Sequence, residues 1–569
     1  MNNPLNPKAL NDLGDKYFYG IDSPKNIELA FTYYKQAADQ GNPVGLYHVG
    51  EYFLVKQEYR HAIEYLHKAM ASGYSKAFLT LSEMTLHGQG MRKSKKKAFK
   101  YTANGAKLGD IDAINQLGRF YLNGIGCSKD FKKAWETYQF SADKNDPEGM
   151  FQFGRLHLES ASGKKNPEKA IHWLDKSALS GHRDAILQMR EIYQKPHAFF
   201  KKRSLTFLKE MIFYYDELLA KTGAIDACER VAIAYLEGGC PTKQNSEKAA
   251  EYLKTLLKAD NTIGHYGIGY SAMMGLGEPQ NPLKAIQHLE IAAKRGMEQA
   301  MIKLGDLYRL GIQQPTDSEM AKKWYYEAAK KNAPEALVNL GLLHYRNQIA
   351  NASGELAFQY FENAAKKGNH AAHYWLGILH ERGIGRPVDL SLAEKSYQKA
   401  LAGGVSGAYY KYAVLLYERS QKAKQKNKAK RWSKKAIELF RAYLKEPSRA
   451  KPNEAYSCYY LALLYQSGMG VEKSLRISRY WLERSSELGL GKAMVALYQL
   501  LKKNDFDHAL HFLKQAALER HDPEGLYELG ILFLQGHSSL ESNPVLARQY
   551  LEASAKKMYR PAIERLTLL

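Results

Sequence analysis

The sequence predicts an all-α, right-handed solenoid of about 15 stacked helix-turn-helix repeats followed by a C-terminal single helix. Three observations predict it. A two-segment pattern recurs about every 36 residues through the 569-residue chain. Inside each segment, small or apolar residues fall at four-residue spacing. Tyrosine is unusually abundant, at 40 residues, and enrichment of one residue type is what a repeated unit produces.

The first segment has the form Ala-x3-Leu-Gly-x2-Tyr-x2-Gly, as in residues 113–124 (AINQLGRFYLNG) and 300–311 (AMIKLGDLYRLG). The second follows it, as in residues 321–332 (AKKWYYEAAKKN) and 357–368 (AFQYFENAAKKG). The small residues that open the units run from Ala9, Gly45, Ala77 and Ala113 to Ala493, Gly525 and Ala562, and nine of the fifteen spacings are 36. In the first segment Ala113, Leu117 and Tyr121 share one helical face, and in the second Ala134, Tyr138 and Ala142 do so. The glycine beside the leucine costs about 1 kcal/mol of helix propensity. Close approach of the partner helix is the expected compensation. Gly-x-Gly pairs such as Gly124–Gly126, Gly383–Gly385 and Gly468–Gly470 end first helices as C-caps do. Neither helix can bury its stripe alone, so neighbouring pairs must stack.

These segments resemble the Sel-1-like repeat, a 36-residue relative of the tetratricopeptide repeat. The resemblance covers nearly everything from Ala9 to Leu569, as fifteen helix pairs and a final helix. It implies a TPR-like adaptor or scaffold for protein–protein interaction. The expected organisation is N-terminal repeats over 1–194, an irregular unit and candidate hinge over 195–226, and central repeats over 227–417. A basic insertion over 418–435 and C-terminal repeats over 436–569 complete it. The unit that opens at Ala185 is 42 residues long, with KPHAFFKKR where its turn belongs; the unit that opens at Ala408 is 49.

Composition excludes other classes. Apolar residues are 45% and charged residues 25%, which is ordinary for a folded chain. Four cysteines cannot form a disulfide framework. Cys228 and Cys240 stand twelve positions apart, about 18 Å along a helix. No basic-then-apolar leader and no 18-residue apolar run is present, so a cytoplasmic protein without a membrane span is expected, with delivery by a specialised secretion system as the alternative.

Catalytic and metal signatures fail. There is no Gly-x4-Gly-Lys-Ser/Thr and no Gly-x-Ser-x-Gly. The chain is therefore read as a non-enzyme without catalytic residues, cofactor, metal or small-molecule substrate. His157, His344 and His380 stand three residues after the repeat glycine, where Tyr121 and Tyr308 stand elsewhere. They read as tyrosine substitutes in the helix interface rather than ligands.

Two features address partners. On first helices, the residues three before, one after and four after the glycine position are expected on the concave face. Early units place mixed residues there, such as Asn11, Asp15 and Phe18. From the tenth unit onward the set becomes aromatic and aliphatic: Tyr345, Tyr374, Ile378, Tyr410, Val414, Tyr417, Tyr459 and Leu463. Such a face suits a protein or peptide. The net charge of +23 concentrates in two places. Residues 92–107 carry seven basic and no acidic residues, including Arg92, Lys93, Lys95, Lys96 and Lys97. Residues 418–451 carry 13 basic and 3 acidic residues, including Lys424, Lys426, Lys428, Lys430 and Arg431. The expected reading is a scaffold whose concave face holds a partner protein of acidic character, steered by the basic insertion. The alternatives are a nucleic-acid-associated protein using the patches at 92–107 and 418–451, and a translocated bacterial effector engaging host proteins.

Overall fold

The computed structural model describes residues 6–159, 166–195, 203–239, 242–311, 315–447, 451–537 and 540–569. Among them are 31 α-helices and no strand, with one isolated bridge between His537 and Leu540. That is the fifteen pairs and single helix expected of the repeat. Most helices are 13 residues long, such as α7 (Ile111–Asn123) and α8 (Phe131–Asp143). The boundaries follow local chemistry. Asp110 and Asp130 cap α7 and α8 by accepting from the backbone N–H of Ala113 and Lys133. Gly124 ends α7 at φ 69°, a left-handed conformation that glycine adopts without cost.

Where the repeat glycine is present, it closes the hairpin. In α7, a Cβ on Gly118 would lie 2.8 Å from the Tyr138 ring of α8. In α21 (His370–Arg382), a Cβ on Gly377 would lie 2.5 Å from the Tyr397 ring of α22 (Leu390–Ala402). The missing side chain is therefore the space that the second helix's aromatic ring fills. The tyrosine hydroxyl then donates to a carboxylate on the first helix: Tyr34 to Asp15 at 2.6 Å, Tyr325 to Asp306 at 2.7 Å and Tyr397 to Glu381 at 2.5 Å. A buried phenol thus keeps a strong partner.

The chain divides into two compact units, residues 1–292 and 293–569. In the first, one core runs from Phe151 through Tyr193, Tyr215 and Val231 to Leu256. It crosses the irregular repeat without a break. Residues 196–202 of the candidate hinge lie outside the described residues, but α11 (Arg183–Gln194), α12 (Leu205–Lys221) and α13 (Ile225–Glu237) pack in sequence. Buried Asp216 of α12 binds them together, accepting from Arg190 Nε at 2.7 Å and from Arg230 at 2.9 and 2.7 Å. Tyr215 donates to Asp175 of α10 (Pro167–Leu179) at 2.6 Å.

In the second unit, the 49-residue repeat absorbs its extra residues as helix. α23 (Gly407–Lys422) has 16 residues and α24 (Lys426–Lys445) has 20. Both are lengthened at the end where residues 423–425 join them, so the basic insertion forms a helical prong.

Candidate functional site

The aromatic row lies on the odd-numbered helices of the second unit: α19 (Pro334–Tyr345), α21, α23 and α25 (Glu454–Ser467). Side chains of successive odd helices meet directly. Arg382 Nη1 donates to the Tyr345 hydroxyl at 3.0 Å, Tyr345 lies 5.6 Å from Trp375, and Tyr417 lies 4.9 Å from Tyr460. Odd-to-odd contact places these helices along one continuous face of the stack.

Tyr345, Tyr374, Tyr410, Tyr417, Tyr459 and Leu463 are all half-buried. Ile378 and Val414 are not part of the accessible face, at 4% and 9% exposure. This corrects the sequence reading for those two residues. The position next to the repeat glycine is drawn into the hairpin by the close approach, and the following repeat covers it; both residues sit in one core with Tyr397, Tyr412 and Leu461. They support the wall rather than line it.

The sequence positions also missed half-buried Tyr460, which joins the row, and Tyr443, which is buried at 4% exposure and backs it. Tyr460 stacks on Phe440 at 5.5 Å, and Tyr443 lies 6.1 Å from Tyr410. Tyr460 occupies none of the three positions predicted to face inward, and Tyr443 is on a second helix. The dense tyrosine pairs of residues 409–410 and 459–460 are the signal that points to this region.

The hydroxyls in the row differ from those in the hairpin cores. Tyr34, Tyr325, Tyr397 and Tyr412 each bond a carboxylate. Among the described residues, the hydroxyls of Tyr374, Tyr410, Tyr417 and Tyr459 have no protein partner, and none is enclosed away from solvent. Burial raises all four phenols above their ordinary range, Tyr459 to about 12 with Glu524 and Tyr417 contributing. They stay protonated at neutral pH and can both donate and accept.

The three interface histidines are buried, as expected of tyrosine substitutes. His157 packs on Trp135 at 4.5 Å, His344 stacks on Tyr360 at 5.5 Å and accepts from the Ser353 N–H at 3.2 Å, and His380 meets Phe358 at 5.1 Å. Burial holds each below the ordinary imidazole range. Among the described residues no group of three or more His, Cys, Asp or Glu is placed to hold a metal ion. Cys127, Cys228 and Cys458 are free thiols, and Cys240 lies outside the described residues. Among the described residues, no helix is long and apolar enough to cross a membrane.

The basic residues are at the surface. Arg92, Lys93, Lys95, Lys96 and Lys97 are exposed around the start of α6 (Lys95–Lys107), and Lys424, Lys426, Lys428, Lys430 and Arg431 are exposed on the prong.

Helical hairpins stacked at a period of about 36 residues define a helical-repeat protein. The Sel1 repeat model matches fourteen segments: 7–42, 44–74, 81–110, 111–146, 147–182, 225–261, 262–297, 298–332, 334–369, 370–405, 406–439, 455–490, 493–521 and 523–557. The chain belongs to the Sel1 repeat family. Proteins of this family generally mediate protein–protein interaction, and their solenoids are generally non-catalytic scaffolds. No curated protein matches the chain. Similar solved structures include a protective antigen of uropathogenic Escherichia coli displaying an SLR fold, 20% identical over 99% of this chain and 94% of that one, with a TM-score of 0.42. A Sel1 repeat protein from Oxalobacter formigenes is 25% identical over 43% of this chain and 98% of its own, at a TM-score of 0.30. An immunity protein from Pseudomonas aeruginosa is 18% identical over 39% of this chain and 82% of its own, at 0.27.

Proposed function

We propose that the chain is a non-catalytic scaffold that captures an extended segment of a partner protein along the odd-helix face of α19 to α25. The observation that carries this reading is that, among the described residues, the half-buried tyrosines Tyr374, Tyr410, Tyr417 and Tyr459 of the row have hydroxyls with no protein partner. In the hairpin cores of Tyr34, Tyr325 and Tyr397, by contrast, the hydroxyl is tied to a carboxylate. A row that packs its rings and leaves its hydroxyls free offers apolar area and hydrogen bonds together. That combination makes tyrosine an interface anchor. An extended chain presents backbone carbonyls and N–H groups at regular intervals, which such hydroxyls can pair.

The test compares two double variants for partner capture by the full chain. Replacing Tyr374→Ala and Tyr410→Ala removes two anchors, each worth about 2 kcal/mol at a buried hot spot, and capture is lost. Tyr374→Phe with Tyr410→Phe keeps the rings and removes only hydroxyls, each worth about 1 kcal/mol, so capture weakens without disappearing. Unchanged capture by the alanine pair places binding elsewhere.

A further inference from the structure

The prong carries a second surface of different chemistry. Between residues 419 and 437 there are nine basic residues and no acidic one. The inner side of α24 is Ala429, Ser433, Ala436, Ile437 and Phe440, all buried against the stack. Its outer side presents Lys426, Lys428, Lys430, Arg431 and Lys434, all exposed. Two neighbouring cations are neutralised: Arg419 pairs with Glu394 at 2.6 Å, and Lys435 with Glu438 at 3.0 Å. Among the described residues, Lys424, Lys426, Lys428, Lys430, Arg431 and Lys434 make no ion pair. The first turn of α24 has no acidic residue, so the positive end of the helix adds to their field.

What the prong lacks narrows its partner. Among the described residues, no large apolar side chain is exposed between Leu392 and Tyr456. A protein interface needs an apolar or aromatic anchor, and a membrane-inserting helix needs an apolar face. Neither is present. The prong's one tryptophan, Trp432, is half-buried, and the Arg419 guanidinium covers one face of it at 4.4 Å from the ring centre, so a run of open aromatic rings is missing. Stacking of unpaired bases therefore has no platform. What remains is a charge-only, lysine-rich surface suited to a regularly spaced polyanion. From Lys426 to Lys435 the helix rises about 14 Å. A nucleic-acid duplex carries about eight phosphates over that length.

We propose that the α23–α24 prong docks on the phosphate backbone of double-stranded nucleic acid, without reading sequence. The prong lysines and the tyrosine row share no residue, and this inference does not rest on the protein-capture reading.

The experiment measures binding of the full chain to a fluorescein-labelled DNA duplex of about 20 base pairs as salt is raised from about 50 to 200 mM. The variant carries Lys424→Gln, Lys426→Gln, Lys428→Gln and Lys430→Gln, all at exposed positions, and an unchanged melting temperature confirms its fold. Neutralising four phosphate contacts contributes a slope of about −3.6 in log K against log salt, so the variant's slope is shallower by about that amount. Over this salt range the loss of affinity shrinks by about 100-fold. The corresponding four Lys→Arg changes preserve the wild-type slope. An equal slope in the glutamine variant overturns the proposal. So does binding of poly-glutamate or phosphatidylserine vesicles, but not duplex, through these lysines.

Discussion

Replacing Gly377 by alanine separates the packing account of the hairpin from ordinary helix behaviour, because the two predict opposite signs. In an exposed helix the change stabilises by about 1 kcal/mol through helix propensity. Here the new Cβ would stand 2.5, 2.6 and 3.0 Å from three ring atoms of fully buried Tyr397. Overpacking of this kind costs about 1–3 kcal/mol. If the ring moves to relieve it, the 2.5 Å bond from the Tyr397 hydroxyl to Glu381 is lost, and a bond to a charged group is worth about 1.5–3 kcal/mol. The ring either bears the strain or moves and loses the bond, so after the propensity gain is subtracted Gly377→Ala destabilises the hairpin by about 1 kcal/mol. Repeat arrays do not unfold as one unit, so the assay is native-state hydrogen exchange on the amides of α21 and α22. In a Tyr397→Ala background the same glycine change costs nothing, so the two changes together cost less than the sum of their separate effects. Slower exchange in the Gly377→Ala protein would refute the close-packing role.

Other consequences follow from the same geometry. Asp216→Ala leaves Arg190 and Arg230 without their shared carboxylate and costs about 2–3 kcal/mol, below a fully enclosed pair because Arg230 is partly exposed; exchange on α11 to α13 reports it. Asp226→Ala removes only the exposed partner of Arg230 and shifts stability by about 0.5 kcal/mol or less. His157, His344 and His380 have folded pKa values below the ordinary 6.5, so the unfolded chain binds more protons as pH falls below 6.5. Their contribution is complete above pH 6.5 and is lost as pH drops towards the lowered values. Replacing all three by tyrosine flattens the loss of hydrogen-exchange protection in the helices that carry them between about pH 7.5 and 5.5, after correction for the intrinsic exchange rate.

Much of this was legible in the chain because a repeat repeats its own physics. The period of 36 marked the hairpins, the histidines at tyrosine positions marked the interface, and the long basic unit marked the prong. Ile378 and Val414 were misplaced because helical spacing gives the side of one helix, whereas burial depends on how closely two neighbours approach it. The Asp216 cluster was not legible for a related reason. Its partners come from 26 residues before and 14 after, and only the packed helices bring them to one carboxylate. Free and bonded tyrosines look alike in sequence; the position of a carboxylate on another helix distinguishes them.

Quantitative affinity capture with the full chain tests the central claim most directly, with wild type, the Tyr374→Ala/Tyr410→Ala variant and the four-lysine prong variant compared by mass spectrometry. The account predicts proteins that wild type and the prong variant retain and the tyrosine variant loses. Retention of the same proteins by the tyrosine variant would contradict it.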